Sequence, residues 1–357
     1  MKLKNSFLST FTSNKLFHNL AVKKQATNKE EALAGSIVDK RTPIWKPITM
    51  LIPTFVILGL FTIMPLFFNL YYAFFKETYF SDGSKKVEFT FEAFVDLFTK
   101  EPTFAVGIRN SLMYALIILP LEIGISLVIS SAISTLVRKR AKGFWQTVFF
   151  LPYITNIVAI SLTFTQIFST NGMFNSIIGR KVTWLESGDM YGFKPLLVMI
   201  TQGIWSSLAF NILLLTTAML SVDKNLYRSA SIDGIGGTKQ FFNITLPSIR
   251  GTTRFLITMS IISGIKVFPL ALFNNDVAEA TGNGASTLML FVYGRTGIGD
   301  FRMAASSAIS LFIIGVSFSI IVRGGFQAII RATNNLGEYH VWKKIKNSRV
   351  INKAQIK

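Results

Sequence analysis

The segment from Tyr227 to Pro247 combines glycines, a lysine and hydroxyl side chains, the residue types that could bind phosphate. A Walker A phosphate loop needs a glycine directly before its lysine and a serine or threonine directly after it. Here Thr238 precedes Lys239 and Gln240 follows it, and no other stretch of the sequence fits the pattern. The sequence therefore predicts that this chain does not itself hydrolyse ATP.

The other residue types that commonly catalyse reactions or bind metals are scarce. The chain has no cysteine, which excludes disulfides, thiolate catalysis and cysteine-ligated metal sites. Its two histidines, His18 and His340, lie near opposite ends of the chain and leave no histidine metal cluster. We expect no catalytic residue, no metal ion and no cofactor in this chain.

Two charged residues, Glu122 and Lys266, lie within long apolar segments. A charge inside a membrane-spanning segment is energetically costly, so such a residue is a functional candidate by default. These two side chains either pair with each other across a helix bundle or line a water-filled cavity.

Six segments are candidates for membrane-spanning helices, which need about 20 predominantly apolar residues. They are residues 48–75, 111–136, 144–168, 195–220, 255–273 and 303–322. The fifth is the weakest because it contains Lys266 and Pro269, and Pro53 and Pro65 are predicted to kink the first. The composition agrees, since only 15% of the residues are charged, against roughly 25% in a typical soluble domain.

The distribution of basic residues predicts the orientation in the membrane. Residues 1–46, 137–143, 221–254 and 323–357 together hold 26 of the 37 Lys and Arg residues and 6 acidic residues. The remaining loops hold 10 basic and 11 acidic residues. By the positive-inside rule, both termini of this multi-pass protein are predicted to be cytoplasmic. The net charge of +19 then reflects cytoplasmic flanks and does not indicate nucleic-acid binding.

The chain divides on this basis into a basic tail at 1–46, a six-span domain at 47–323 and a second basic tail at 324–357. Residues 2–24 either form an amphipathic helix in the membrane interface or belong to a basic tail held near anionic lipid. The external segment 76–103 is polar with Phe and Glu interspersed. It could contact a partner protein or be a solvated loop.

The loop at 221–254 is predicted to form a short helix, a turn and a second short helix. Asp233 or Thr238 could cap the second helix, glycines supply the turn, and Pro247 ends the helix before the fifth span. The loop also carries an apolar face, formed by Phe241, Phe242, Ile244 and Leu246. This loop either docks against another protein or folds back on the helix ends.

The loop resembles the EAA motif of permease subunits from bacterial ABC importers, whose core is Glu-Ala-Ala-x-x-Asp-Gly followed later by Leu-Pro. The residues at matching positions are Tyr227, Ala230, Asp233, Gly234, Phe241, Ile244, Leu246 and Pro247. Further similarities to the maltose-type and multiple-sugar-type permeases are the strings at 150–153, 172–175, 204–205, 266–268 and 281–284. Together, in this order and spacing, the similarities cover roughly residues 48–322.

The resemblance implies an all-α integral membrane protein with six transmembrane helices, the type I ABC importer permease fold, in a bacterial inner or plasma membrane. It implies that residues 221–254 couple the permease to a cytoplasmic ATPase. The coupling residues would be Tyr227, Arg228, Ser229, Ala230, Asp233, Gly234, Phe241, Leu246 and Pro247. The implied partners are a second similar permease, two ATP-binding subunits that hold the ATP and Mg, and an extracytoplasmic solute-binding protein. The solute would be a sugar or oligosaccharide, translocated by alternating access.

Sugars are bound by aromatic faces beside hydrogen-bonding side chains. The residues of suitable type in the spans are Glu122, Gln166, Gln202, Trp205, Asn211, Lys266 and Phe268. Trp205 could instead anchor or pack a helix, and Gln202 could form a helix–helix hydrogen bond.

The sequence departs from the family's pattern in two regions, the loop motif and the fifth span. Arg228 stands at the position of the Glu and Ser229 at that of the first Ala, and Pro269 replaces an Asp in the fifth span. The arginine reverses any ion pair made by the Glu. Either the ATPase presents an acid, or the second permease supplies the usual contact, or the loop is inactive. Two alternatives therefore remain: an importer of glycerol-3-phosphate or another anionic solute, favoured by Lys266, and a non-transporting membrane scaffold or sensor, favoured by Arg228.

Overall fold

The computed structural model describes residues 45–136 and 138–346. The predicted N-terminal tail, with its possible interfacial helix and His18, lies outside these residues. The chain divides into two compact units, Met1–Phe68 and Asn69–Lys357. In the first unit, the described residues 45–68 belong to helix α1 (Trp45–Phe74), and none of their side chains is buried. A π-helical turn at Gly59–Ile63 lies between the two prolines that were predicted to kink this helix.

The second unit is mostly helical and contains one small β-sheet. In chain order its elements are β1 (Phe75–Tyr79), β2 (Lys85–Phe89), α2 (Glu92–Thr99), α3 (Pro102–Thr135), α4 (Lys139–Ile154), α5 (Ile157–Ile167), α6 (Met173–Ile178), α7 (Lys194–Leu220), α8 (Lys224–Ile232), α9 (residues 237–248), α10 (Arg250–Ile265), a 3₁₀ turn (Leu270–Phe273), α11 (Val277–Gly282), α12 (Leu288–Gly297) and α13 (Phe301–Lys346).

Five segments of the described residues are long and apolar enough to cross a membrane, or up to six if a bent pair of helices counts as one span. The five are Trp45–Phe74, Pro102–Thr135, Lys194–Leu220, Arg250–Phe273 and Phe301–Gly325, and the bent pair is α4 with α5. The chain is therefore a multi-pass membrane protein.

The predicted span at 144–168 is not one straight helix, because α4 and α5 meet at an angle of 92°. Pro152 lies inside the last turn of α4 and removes a backbone donor there. Asn156 then begins α5, because its side-chain oxygen accepts a hydrogen bond from the Val158 amide over 2.8 Å. A proline followed by a capping residue thus turns the chain.

The core of the second unit lies where α3 packs against α7 and α10. Small residues allow these helices to approach closely, as is common in membrane proteins. A Cβ atom added at Gly203 of α7 would overlap the Tyr114 hydroxyl, and one added at Gly264 of α10 would lie 2.9 Å from the Ala115 Cα. These two glycines therefore set the distance of both helices from α3.

The all-α prediction is wrong for residues 75–89, which form an antiparallel hairpin. Phe75 pairs with Phe89 and Tyr79 with Lys85. Gly83, with a φ of +81°, supplies the turn that a side chain would strain. Two five-residue strands with many charged residues leave no clear alternating pattern, so the hairpin is not evident from the sequence.

Two helices also end elsewhere than predicted. Helix α10 ends at Ile265 and the next residues are not helical, because Pro269 disfavours a helical conformation at the residue before it and has no amide to donate. Helix α13 continues to Lys346, beyond the predicted end of the membrane domain at residue 323.

Candidate functional site

A cavity of about 590 Å³ lies between α3, α5, α7, α10 and the non-helical residues that follow α10. Most of its wall is apolar, as is usual for sites that hold small molecules. Its polar and charged lining residues are Tyr114, Glu122, Ser161, Gln202, Ser206, Ser207, Ser263, Lys266 and Asn275. Polar and charged side chains inside a bundle of apolar helices cost free energy, and such residues commonly have a function. This cavity is therefore the candidate solute site.

Gln202 is held in place at the cavity wall by a neighbouring helix. Its Nε2 donates a 2.6 Å hydrogen bond to the Ser161 hydroxyl, and Ser161 donates in turn to the Ile157 carbonyl over 2.9 Å. The helix–helix hydrogen bond considered for Gln202 is therefore present. The same side chain lines the cavity, so this hydrogen bond does not remove Gln202 from the candidate site.

Glu122 and Lys266 both line the cavity but do not pair with each other. Glu122 is buried, with 4% of its surface exposed, beside the hydroxyl groups of Ser207 and Ser260. Lys266 is exposed and follows the last turn of α10, where a cation interacts favourably with the helix dipole. Among the described residues, no ion pair joins the two side chains. The cavity alternative for these charges is the one observed.

The remaining predicted path residues fall into two groups. Phe268 lines the cavity, whereas Gln166, Trp205 and Asn211 do not. Trp205 lies in a separate apolar groove with Phe149, and half of its surface is exposed. That position suits the packing or anchoring role that was the alternative for Trp205.

Tyr114 and the serines of the cavity were not among the predicted residues. Tyr114, Ile118 and Glu122 are spaced by four residues, so all three lie on one face of α3. Extending the helical periodicity from Glu122 would have identified Tyr114. The serines carry no such signal, because serine is also common where membrane helices pack.

The loop between α7 and α10 forms the predicted pair of short helices, but the predicted caps are wrong. Asp223 caps α8, accepting a hydrogen bond from the Asn225 amide over 2.9 Å. Asp233 ends α8 instead of starting the second helix, and Thr238 lies inside α9 with no side-chain cap. Gly234 makes the turn with a φ of +72°.

Side-chain hydrogen bonds join α8 to α9. The hydroxyls of Tyr227 and Thr245 lie 2.8 Å apart. Nε2 of Gln240 donates to the Ser231 hydroxyl over 3.1 Å and to the Ile235 carbonyl over 2.8 Å. The two helices are therefore held as one structural element.

The apolar residues of this loop divide between an inner and an outer face. Phe241 packs against a buried cluster that includes Leu215, Ile249 and Leu256, and Ala230 is buried. Ile232 and Phe242 are 86% and 60% exposed. The inner face thus folds back on the helix ends, whereas the outer face leaves large apolar side chains exposed.

The outer face of the loop also carries exposed polar and charged residues. They are Arg228, Ser229 and Asp233; Pro247 is also exposed, while Leu246 is half-buried. Among the described residues, Arg228 forms no ion pair. A cation beside exposed apolar side chains can contact an acidic surface with an apolar pocket.

No protein-family model matches the chain. Over 319 residues it is 40% identical to a probable ABC transporter permease protein of Mycoplasma genitalium. This match covers 89% of this chain and 96% of that protein. It is 25% identical over 202 residues to a lactose transport system permease protein of Rhizobium radiobacter, covering 55% of this chain and 66% of that protein. The fold is similar to a chain of a bacterial alginate ABC transporter, solved in complex with an alginate pentasaccharide-bound periplasmic protein. That match has a TM-score of 0.63 at 22% identity and covers 78% of this chain and 92% of the other.

Proposed function

The chain belongs to the permease proteins of ABC transporters, and we propose from this premise that it is the membrane-spanning subunit of an importer for a sugar or oligosaccharide. One observation carries the proposal: the cavity, which combines an aromatic residue, a buried carboxyl group, an amide and several hydroxyls inside apolar helices. Such a lining suits a ligand with many hydroxyl groups. The lactose permease and the alginate transporter among the similar proteins support the same solute class.

The importer would use ATP bound elsewhere, because the chain has no phosphate-binding loop of the Walker A type. The proposed complex contains a second permease, two ATP-binding subunits that hold ATP and Mg, and an extracytoplasmic solute-binding protein. This chain would contribute six spans, one of which is the bent pair of α4 and α5. Both termini would lie in the cytoplasm. The similar alginate transporter, solved with a periplasmic protein, supports the last of these partners.

The loop formed by α8 and α9 is the proposed contact with the ATPase. Its outer face presents Arg228, Ile232 and Phe242 for docking. Its inner face packs through Phe241 on a buried cluster to which Leu256 of α10 belongs, and the last turn of α10 borders the cavity. A displacement of the loop can therefore be transmitted along one helix to the cavity, as alternating access requires.

An anionic solute such as glycerol-3-phosphate is the second candidate. The exposed Lys266 at the cavity favours it, because this cation has no ion-pair partner among the described residues. The other polar groups of the lining oppose it, because they are hydroxyls, amides and the buried Glu122 carboxyl group, and none of them is a cation. The balance of the lining favours an uncharged solute.

The proposal is tested by ATPase activity of the full complex in lipid, assembled with its ATP-binding subunits, second permease and binding protein. The activity would be measured against a panel of sugars and glycerol-3-phosphate. We expect stimulation by one sugar or oligosaccharide. Stimulation by glycerol-3-phosphate alone would support the second candidate, and a complex that responds to no solute would support the scaffold alternative instead.

A further inference from the structure

Thr287 links helix α12 to the non-helical segment that walls the cavity. Its side chain is fully buried, and its Oγ1 accepts a hydrogen bond from the Leu290 amide over 3.2 Å, which caps α12. The same hydroxyl donates to the Val267 carbonyl over 2.9 Å. Val267 lies between Lys266 and Phe268 in the segment where α10 has ended. One hydroxyl group thus joins the start of a helix to the cavity wall.

A second contact joins α12 to the same segment. The rings of Tyr293, on α12, and Phe268 meet edge to face with their centroids 5.2 Å apart. Aromatic pairs of this geometry are stabilising beyond the area they bury. The segment at 266–269 is therefore held by α12 at two neighbouring residues.

Helix α12 is itself fixed to the first half of α3. The contacts are an edge-to-face pair of Phe104 and Phe291 with centroids 5.2 Å apart, a 3.0 Å hydrogen bond from the Leu288 amide to the Ser111 hydroxyl, and an ion pair between Arg295 and Glu101. Gly107 of α3 lets the backbones approach closely, because a Cβ atom there would lie 3.1 Å from the Thr287 carbonyl carbon. Helices α3 and α12 therefore form a support on one side of the segment at 266–269, where α10 has ended.

We propose that Thr287 is a positioning residue, which holds the 266–269 segment against the support of α3 and α12 and so sets the shape of the solute cavity. The interruption of α10 leaves backbone carbonyls without helical donors, and at membrane depth such groups need another partner. The Thr287 hydroxyl is that partner for Val267. The importance of this contact for transport rests on the proposed function, whereas its effect on the segment does not.

The absence of native cysteine allows a direct test by labelling a single introduced thiol. Lys266→Cys would be placed in the full-length permease, assembled in its complex, and its rate of reaction with a charged, membrane-impermeant maleimide measured. Adding Thr287→Val should raise that rate about tenfold, the factor that corresponds to about 1.4 kcal/mol, because the Val267 carbonyl loses its donor. Thr287→Ser keeps the hydroxyl and should leave the rate within about twofold of the parent, which is the lower end of the net effect of one hydrogen bond.

Thr296→Val is the matched control on the same helix. The Thr296 hydroxyl bonds only within α12, donating to the Val292 carbonyl over 2.8 Å, so its loss should not change the labelling rate. If Thr287→Val does not assemble, Tyr293→Ala decides, because it removes the other contact and should also raise the rate. An unchanged rate in the assembled variants, or an equal rise in Thr296→Val, would overturn the proposal. A raised labelling rate, together with no sugar import by the wild-type complex that retains Lys266, would contradict the proposed function but support this role of Thr287.

Discussion

The hydroxyl groups of Tyr227 and Thr245 lie 2.8 Å apart and connect α8 to α9 in the loop between α7 and α10. Thr245 is buried on the inner face of the loop, whereas the neighbouring Arg228 is exposed on the outer face. A binding surface works best when its supporting residues are locked in place. This contact holds α8 against α9, and it would fix the orientation of the outer face toward the proposed partner.

Removing that hydroxyl contact should weaken the coupling of ATP hydrolysis to solute. Tyr227→Phe loses one hydrogen bond, whose net contribution is about 0.5–1.5 kcal/mol, so solute-stimulated ATPase activity should fall about two- to tenfold. Thr245→Val should produce the same loss, and the double variant should be no worse than either single one. Fully additive losses would show that the two hydroxyls act separately.

The turn at Gly234 should not tolerate a side chain. Its φ of +72° is a left-handed conformation, which costs a non-glycine residue about 1–2 kcal/mol and which proline cannot adopt. Gly234→Ala should reduce uptake and Gly234→Pro should abolish it, with normal amounts of protein in the membrane. Gly237→Ala is the control in the same loop, because Gly237 has open space around it and no positive φ. Normal uptake by Gly234→Pro would remove the coupling role of this turn.

Arg228 should determine which ATPase the permease accepts. The residue is exposed, so a change of charge there affects docking without disturbing the fold. Arg228→Glu should lower activity with the cognate ATPase and raise it with an ATPase from a generic sugar importer. A charge-reversed acidic residue in the cognate ATPase should restore activity to the variant. If Arg228→Glu leaves activity with both ATPases unchanged, the arginine is neutral.

Substituting two side chains of α7 should show whether the solute binds in the cavity or in the apolar groove outside it. Gln202 lines the cavity and bonds to Ser161, whereas Trp205 lies in the apolar groove outside it. Gln202→Ala should raise the solute concentration for half-maximal ATPase stimulation about tenfold, the scale of a lost buried hydrogen bond. Trp205→Ala should leave that concentration unchanged. The opposite pattern would place the solute on the other side of α7.

The β1–β2 hairpin should lose stability in acid. The Lys85 ammonium, followed by the Tyr71 and Tyr79 hydroxyls, lowers the pKa of Glu77 to about 2, from an ordinary value of 4.5. Because the folded-state pKa is depressed, the stabilisation is complete above pH 4.5 and is lost as the pH falls through about 2. Amide exchange of residues 75–89 should be slower in the wild type than in Glu77→Gln at pH 6. The difference should vanish near pH 2.

Substituting the partner lysine provides the control for that experiment. Lys85→Gln should lose the same protection as Glu77→Gln at pH 6, because either change breaks the 2.7 Å ion pair. Protection in Glu77→Gln that equals the wild type at every pH would show that the ion pair does not stabilise the hairpin.

Long apolar runs are strong signals, and the spans they predict are close to the helices observed. The predicted 195–220 corresponds to α7, Lys194–Leu220, and the apolar part of α13 begins two residues before the predicted 303. The family suggested by the loop motif is also confirmed by the similarity to known permeases. These features depend on composition and local pattern, which a single sequence carries.

Features that depend on tertiary contacts were not predictable in this way. Helix α3 begins at Pro102, nine residues before the predicted span, because Asn110 and Ser111 are buried against the loop before α12 and bind its backbone. The bend between α4 and α5 follows from one proline within an otherwise apolar run. The cavity itself is formed by residues of five separate segments, and their proximity is not encoded in any local spacing.

ATP-dependent uptake tests the central claim most directly. Proteoliposomes would contain the full complex, with ATP on the side of the α8–α9 loop and the solute-loaded binding protein on the other side. We predict accumulation of one sugar or oligosaccharide only when ATP is present, and loss of that accumulation in Gly234→Pro. Accumulation without ATP, or equal accumulation by wild type and Gly234→Pro, would contradict the account.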